Sequence, residues 1–276
     1  CKFHNCDIAD KKKVKKILKK KFDVVLHFAA FANNDESLKK PKKYFNNNFE
    51  KAKIFLNLCK DSNIKNIIYS STAAIYGHNK QKVKENDNLK PLSPYAKSKL
   101  KLEKFLFKNK KNFNFIILRY FNVGGVEKKL RCGFNIKNKS LISNLCRSFI
   151  FNKNFYVNGK SYKTKDGTPI RDYIHVSDLA KIHFYLSVKI LKKEYHAIFN
   201  CGYGKGISVK NMYDIFNNVS NNRPKIVYAD KRKKDISVSI SNISKLQNEI
   251  KILYRKKKLF DLAKTSIDWY NRKKNL

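Results

Sequence analysis

Six tyrosines in this chain are followed four residues later by a lysine, at Tyr76, Tyr95, Tyr156, Tyr185, Tyr254 and Tyr270. On a helix that spacing puts both side chains on one face. A nearby ammonium then favours the phenolate, which makes the tyrosine a usable base. The chain has 15 Tyr and so many lysines that about three such pairs arise by chance, most of them on solvated helix faces. Context separates Tyr95 and Lys99 from the rest. That pair alone follows an apolar run ending in Ser70-Ser71-Thr72 and opens the next helical segment. A hydroxyl such as that of Thr72, at a strand end, can bond the oxygen whose proton the tyrosine takes and spread the developing charge. The plainer reading of a Ser/Ser/Thr cluster is turn or helix-cap chemistry.

The elements that must position these residues alternate. Asp23 to Ala30 (DVVLHFAA), Asn66 to Ser71 (NIIYSS) and Phe115 to Phe121 (FIILRYF) read as buried strands. Between them, Pro41 to Ser62 and Pro94 to Phe107 carry apolar residues at helical spacing. Strand, helix, strand with crossovers of this length predicts an α/β fold, a doubly wound parallel sheet of Rossmann type with ligands gathered beyond the carboxyl ends of its strands. Three polar clusters fall there: 27–34, 70–77 and 122–125. Beyond Gly125 the elements shorten. Helices are expected over Leu141 to Phe151, Ser177 to Leu191, Ser208 to Val219 and Leu259 to Tyr270, a polar loop up to Arg171, and a returning strand over Ala197 to Cys201. Residues 1–125 therefore read as the doubly wound domain. Residues 126–276 read mainly as a smaller α+β substrate lobe with segments returning to the first.

Composition excludes several classes. Hydrophobic residues make up 42% with 20 Phe, which suits a folded globule rather than a disordered chain. No apolar run is long enough for a membrane span, and no secretory signal is visible, so the expectation is a cytoplasmic protein without a membrane partner. The six Cys at 1, 6, 59, 132, 146 and 201 form no Cys-x-x-Cys pair and have no His at zinc spacing, so no metal is expected. The net charge of +41 is almost all lysine, 54 Lys against 8 Arg, spread along the chain. Base and phosphate readers favour the arginine fork, so no nucleic-acid partner is expected.

The segments SSTAAIYG (70–77), SPYAKSK (93–99), RYFNV (119–123), DGTPIRDYIHVSDLA (166–180) and FNCGYGKGISV (199–209) resemble the extended short-chain dehydrogenase/reductase family, and more narrowly its UDP-glucose 4-epimerase branch. The resemblance runs from about Asp7 to beyond Asp235. It implies an NAD-dependent isomerase acting on a UDP-hexose of galactose metabolism, by oxidation of C4 to a keto intermediate and return of hydride to the opposite face. Tyr95 would take the C4 hydroxyl proton, Lys99 would lower its pKa and hold the nicotinamide ribose, and Thr72 would steady the C4 oxygen. The resemblance assigns cofactor contacts to Asp7, Ile8, Phe28, Ala29, Ala30, Phe31, Ala32, Asn47, Ser70 and Phe121, besides Tyr95 and Lys99. It assigns substrate contacts to Asn122, Leu141, Tyr156, Asn158, Arg171, Arg232 and Asp235, besides Thr72 and Tyr95. A homodimer is implied as well. For Arg171 the alternative is a structural ion pair with a neighbour such as Asp172.

The sequence departs from that pattern in places. Phe49-Glu50-Lys51-Ala52 replaces small residues and is expected to crowd the cofactor side. Lys233-Lys234 alters the loop beside Arg232. The chain opens at Cys1 without the family's first strand and its G-x-x-G-x-x-G turn, so the first βαβ unit is read as missing and the sequence as a fragment. Expressed alone, it is expected to fold poorly and bind no NAD. Ala73 and Ala74 follow Thr72, where a dehydratase would carry an acid pair, and this argues against dehydration. A non-catalytic remnant, or another nucleotide-sugar reductase or epimerase of the family, stays open as the alternative.

Overall fold

The structure is a computed structural model that describes residues 2–78, 82–231, 235–250 and 257–274. Among these the strands are, in chain order, β1 Val25–His27, β2 Asn66–Thr72, β3 Asn114–Tyr120, β4 Asn122–Gly124, β5 Phe155–Asn158, β6 Ile170–His175, β7 His196–Cys201, β8 Gly206–Ser208, β9 Ile226–Ala229 and β10 Val238–Ser239. The chain divides into two compact units: 1–77, 85–120 and 183–199 form the first, and 78–84, 121–182 and 200–276 the second.

The first unit is built on a sheet of order β1-β2-β3-β7. β2 and β3 pair in parallel from Asn66↔Asn114 to Thr72↔Tyr120, and the expected returning strand closes the far side as β7. Both inner strands are buried on both faces, which is why they read as near-continuous apolar runs. Their side chains meet Leu102 and Leu106 of the helix Pro94–Lys108, and Phe49, Ala52 and Leu56 from the segment after Pro41. Each fully buried leucine of this kind contributes about 2 kcal/mol.

Two expectations for this unit need correction. The first strand is three residues long rather than eight, because its register with β2 runs only from Val25↔Ile67 to His27↔Tyr69. The single helix expected over 41–62 is α-helical at Pro41–Phe45 and Ala52–Asp61, with a π-helical turn at Asn46–Lys51 between them. The helix Lys11–Leu18, N-capped by the Asp10 carboxylate, was not foreseen; its mostly lysine face hides the Val14 and Leu18 stripe.

In the second unit β6 lies between β10 and β4, with β8 antiparallel to it. The helices Leu141–Phe151, Val209–Asn217 and Lys257–Lys273 contribute Leu145, Phe149, Met212, Phe216, Leu262 and Ala263 to one core. The expected polar loop before Arg171 contains a strand: Phe155 and Val157 point inward while Tyr156 stands out, and β5 pairs in parallel with β9. Their pairing partners are some seventy residues apart, so no local signal announces them. Asp172 is fully buried and anchors this unit, accepting from the backbone N–H groups of Tyr203, Gly204 and Ser241 and from the Ser241 hydroxyl. Among the described residues no helix is long and apolar enough to cross a membrane.

Candidate active site

Ser93 opens the helix Pro94–Lys108 by accepting the Ala96 N–H at 3.1 Å, and Pro94 fixes its first turn. That cap sets Tyr95 in the first turn and Lys99 one turn deeper, both facing the end of β2. Burial pushes the Tyr95 phenol above its ordinary range, and the neighbouring Thr72 hydroxyl opposes that shift. The same hydroxyl accepts the Ala74 N–H at 3.2 Å, so the helix-cap reading of Thr72 holds alongside its contact with Tyr95.

Lys99 is 4% exposed, and its ammonium lies 4.6 Å from the centroid of the Tyr69 ring. Burial drives its pKa down to about 7, and the carboxylate of Glu103 works against that shift. For Tyr95 burial is the largest influence and Thr72 the neighbour that opposes it. Both groups are dry, so the charged form of each is penalised. His27, at the end of β1, stacks between Phe55 and Tyr69 at 5.7 Å from each, and burial, aided by Lys99, holds its pKa at about 3. A neutral imidazole thus borders the lysine.

The stretch proposed for the cofactor leaves β1 directly. Phe28, Ala29, Phe31 and Ala32 are exposed and Ala30 is half-buried. Asn48 pins this stretch: its side-chain oxygen accepts the Phe31 N–H at 2.8 Å, and its amide donates to the Phe31 carbonyl at 3.0 Å and to Ser98 Oγ at 3.2 Å. Ser98 in turn donates to the Tyr95 carbonyl at 2.7 Å. Asn48 is buried, whereas Asn47, the residue singled out from sequence, donates to the Asn48 oxygen at 3.1 Å. The signal that could have found Asn48 is the Asn-Asn-Asn run, but only the π turn decides which of the three points inward. Ser70 Oγ lies 2.7 Å from Tyr120 Oη, which lies 2.6 Å from His183 Nε2. Asp7 is engaged by the Lys51 ammonium, which lowers its pKa, and Ile8 is half-buried beside it. The Lys51 that departs from the family pattern therefore meets a residue assigned to the adenine.

The second unit holds the other assigned residues. Phe121 is buried and donates its N–H to the Cys201 carbonyl at 3.0 Å. Asn122 is exposed on β4, and Leu141 begins a helix capped by Ser140. Tyr156, 60% exposed, and Asn158 lie on the same strand, β5. Arg171 pairs with Asp235 at 2.8 Å, and Tyr162 donates to the second Asp235 oxygen at 2.7 Å. The ion pair foreseen as the alternative for Arg171 exists, but its partner is another assigned residue, because Asp172 is taken up by the backbone around Tyr203. Arg232 lies outside the described residues.

Residues 1–202 match the NAD dependent epimerase/dehydratase family. The chain is 37% identical over 213 residues to a UDP-glucose 4-epimerase of Lactobacillus helveticus, covering 75% of this chain and 64% of that one. It is 33% identical over 288 residues to UDP-arabinose 4-epimerase 1 of Arabidopsis thaliana, covering 99% of this chain and 67% of that one. It thus spans about two thirds of the length of these curated relatives. The fold matches a crystal structure of UDP-glucose 4-epimerase from Stenotrophomonas maltophila with bound NAD and formylated UDP-arabinopyranose (TM-score 0.93, 27% identity, 99% of this chain and 83% of that one). It also matches that of Bifidobacterium longum in complex with NAD+ and UDP (TM-score 0.90, 28% identity, 99% and 83%). The strand-end threonine, the Tyr95 and Lys99 helix and the parallel sheet are thus accounted for together: the chain belongs to the NAD dependent epimerase/dehydratase family.

Proposed function

We propose that this chain carries the proton-transfer machinery of an NAD-dependent UDP-hexose 4-epimerase. The observation that carries the reading is the Tyr95 phenol beside the Thr72 hydroxyl, one helical turn from a buried Lys99, at the end of β2. Its residues fit the cofactor: a deep ammonium, a backbone stretch pinned by Asn48, and the exposed rings of Phe28 and Phe31 suit a ribose and flat heterocycles. Lys99, Ser70, residues 28–32 and Phe121 would hold NAD, which when bound supplies the hydride acceptor and donor. Asp7, Ile8 and Asn47 belong to the same set by resemblance.

Tyr95, as the phenolate that the Lys99 ammonium favours, takes the proton from the sugar hydroxyl onto its oxygen and later returns it, so no net proton leaves. Thr72 donates to the oxygen that bears developing charge and keeps it aligned. Arg171, Arg232 and Asp235 serve the nucleotide end, with Asn122, Leu141, Tyr156 and Asn158. An arginine fork suits a diphosphate, and on this reading Arg171 exchanges its Asp235 partner for phosphate oxygens. A cytoplasmic homodimer acting in galactose metabolism goes with the reading on the strength of resemblance, and sedimentation tests the dimer.

The test is turnover by the purified product of the whole reading frame in which these residues lie. Supplied with NAD, it should interconvert UDP-galactose and UDP-glucose, and Tyr95→Phe should cost roughly two to four orders of magnitude in kcat. Near-full activity of that variant would sink the mechanism. UDP-arabinose belongs in the same assay, because the similarity to a UDP-arabinose 4-epimerase extends over 99% of the chain.

A further inference from the structure

The proton transfer at Tyr95 calls on one buried cation, Lys99, yet two more charged side chains are buried close by. Glu103 lies one helical turn beyond Lys99 and is 2% exposed, so Tyr95, Lys99 and Glu103 form a single stripe on the helix Pro94–Lys108. Its carboxylate accepts from Arg119 Nε at 3.2 Å and Nη2 at 2.8 Å, and from the Ser71 hydroxyl. Arg119, also 2% exposed, donates from Nη1 to Tyr76 Oη and to the Glu85 carbonyl, both at 2.8 Å. Glu103 is thereby fixed from β2 and β3 as well as from its own helix. A buried ion pair adds little net stability over apolar packing. It does hold a fixed negative charge in a dry place, next to the residue before Thr72.

We propose that Glu103, held by Arg119 and Ser71, is a positioning residue that keeps Lys99 cationic for proton transfer at Tyr95; the assignment rests on the epimerase reading. The groups facing Lys99 leave few other sources of negative charge. From β1 comes His27, neutral with its pKa near 3; from β2 come Thr72 and Tyr69, the latter a phenol pushed far up by burial. Tyr44, from the helix Pro41–Phe45, is 6.4 Å from the Tyr95 ring, is raised to about 12 and hence is neutral. The carboxylate that Tyr44 meets, Glu36, is already bonded to Lys43. β3 brings only a second cation, Arg119. Burial drives Lys99 down to about 7, where it is half-charged near neutral pH, so the field of one carboxylate decides how much of it carries a proton.

The experiment is an NMR titration of the purified product of the whole reading frame, labelled with [13Cε]-lysine and read without added nucleotide or sugar. An ordinary lysine ionises near pH 10.4, so a signal titrating near neutrality stands apart from the other lysines, and its absence in Lys99→Met assigns it. Glu103→Gln is expected to lower the Lys99 midpoint by about one pH unit. The double variant Glu103→Gln with Arg119→Met removes the Arg119 charge together with its partner and is expected to lower it by less. An unchanged midpoint in the single variant overturns the proposal; if the single variant does not fold, an unchanged midpoint in the double one does so. Because no turnover is involved, this result and the fate of the epimerase reading are separable. Lys99 can answer Glu103 in a chain without epimerase activity, and an active epimerase can have a Lys99 that ignores it.

Discussion

At the scale of single residues, the candidate site is set by how far burial displaces ionisation and which neighbour opposes it. For Tyr95 the opposing group is Thr72. Thr72→Ser keeps the hydroxyl and should keep kcat within a few-fold, whereas Thr72→Ala removes it and should cost on the order of 10²-fold in kcat. Equal rates for the two variants would reduce Thr72 to its helix-capping bond with Ala74. His27 carries a prediction about stability. Its pKa in the folded chain is about 3, below the ordinary 6.5. Between those values the unfolded chain binds the proton and the folded chain does not, so stability rises with pH across this window and is lost as pH falls from 6.5 towards 3. The loss reaches at most ~5 kcal/mol. Replacing His27 by Phe, which keeps the stack between Phe55 and Tyr69, should flatten that part of the profile in urea denaturation followed from pH 7 to pH 3.5.

At the scale of elements, Tyr95, Lys99 and Thr72 were legible because their position depends on short-range signals: an apolar run that must be a buried strand, a Ser-Pro start that must be a helix, and a fixed turn between Tyr and Lys. Glu103 lies on the same stripe, but its partners Ser71 and Arg119 come from two strands, and sequence spacing says nothing about who meets across a sheet. Asn48 was hidden for a different reason. The π turn at Asn46–Lys51 adds a residue to the local repeat and rotates the triple-Asn run, so a 3.6-residue count does not say which member turns inward. β5 and β9 were unreadable because their partners are distant in sequence. Asn48→Ala should leave the Phe31 N–H and carbonyl to solvent at a cost of about 1–2 kcal/mol. The local reading is amide exchange. Phe31 should exchange at least tenfold faster while the amides of β2 stay protected, and an unaltered Phe31 rate would mean that the loop is held by something other than Asn48.

At the scale of the molecule, the charge of +41 is the feature that fold and site leave unexplained. The acidic side chains are too few to neutralise it, and the ion pairs on the surface, such as Lys43 with Glu36 or Lys101 with Glu50, are exposed and worth little each. Like charges spread over the whole surface repel one another, and the repulsion is released on unfolding, so it counts against the folded state. Salt screens it: the Debye length falls from roughly 30 Å at 0.01 M to 3 Å at 1 M. The thermal midpoint should therefore rise by several degrees between these limits, and a flat or falling midpoint would mean that the lysines are paired or far enough apart not to matter. The same field acts oppositely on the proposed substrate. A UDP-sugar carries its negative charge on the diphosphate, and a lysine-rich surface draws it in over the distance that salt sets, so kcat/KM should fall as salt rises while kcat holds. Stability and capture thus respond to ionic strength with opposite signs from one cause. A nucleic-acid-binding surface of the same charge would instead show tight, salt-steep retention of DNA on a filter. With so little arginine to grip phosphates, the expected result is weak retention already lost at physiological salt.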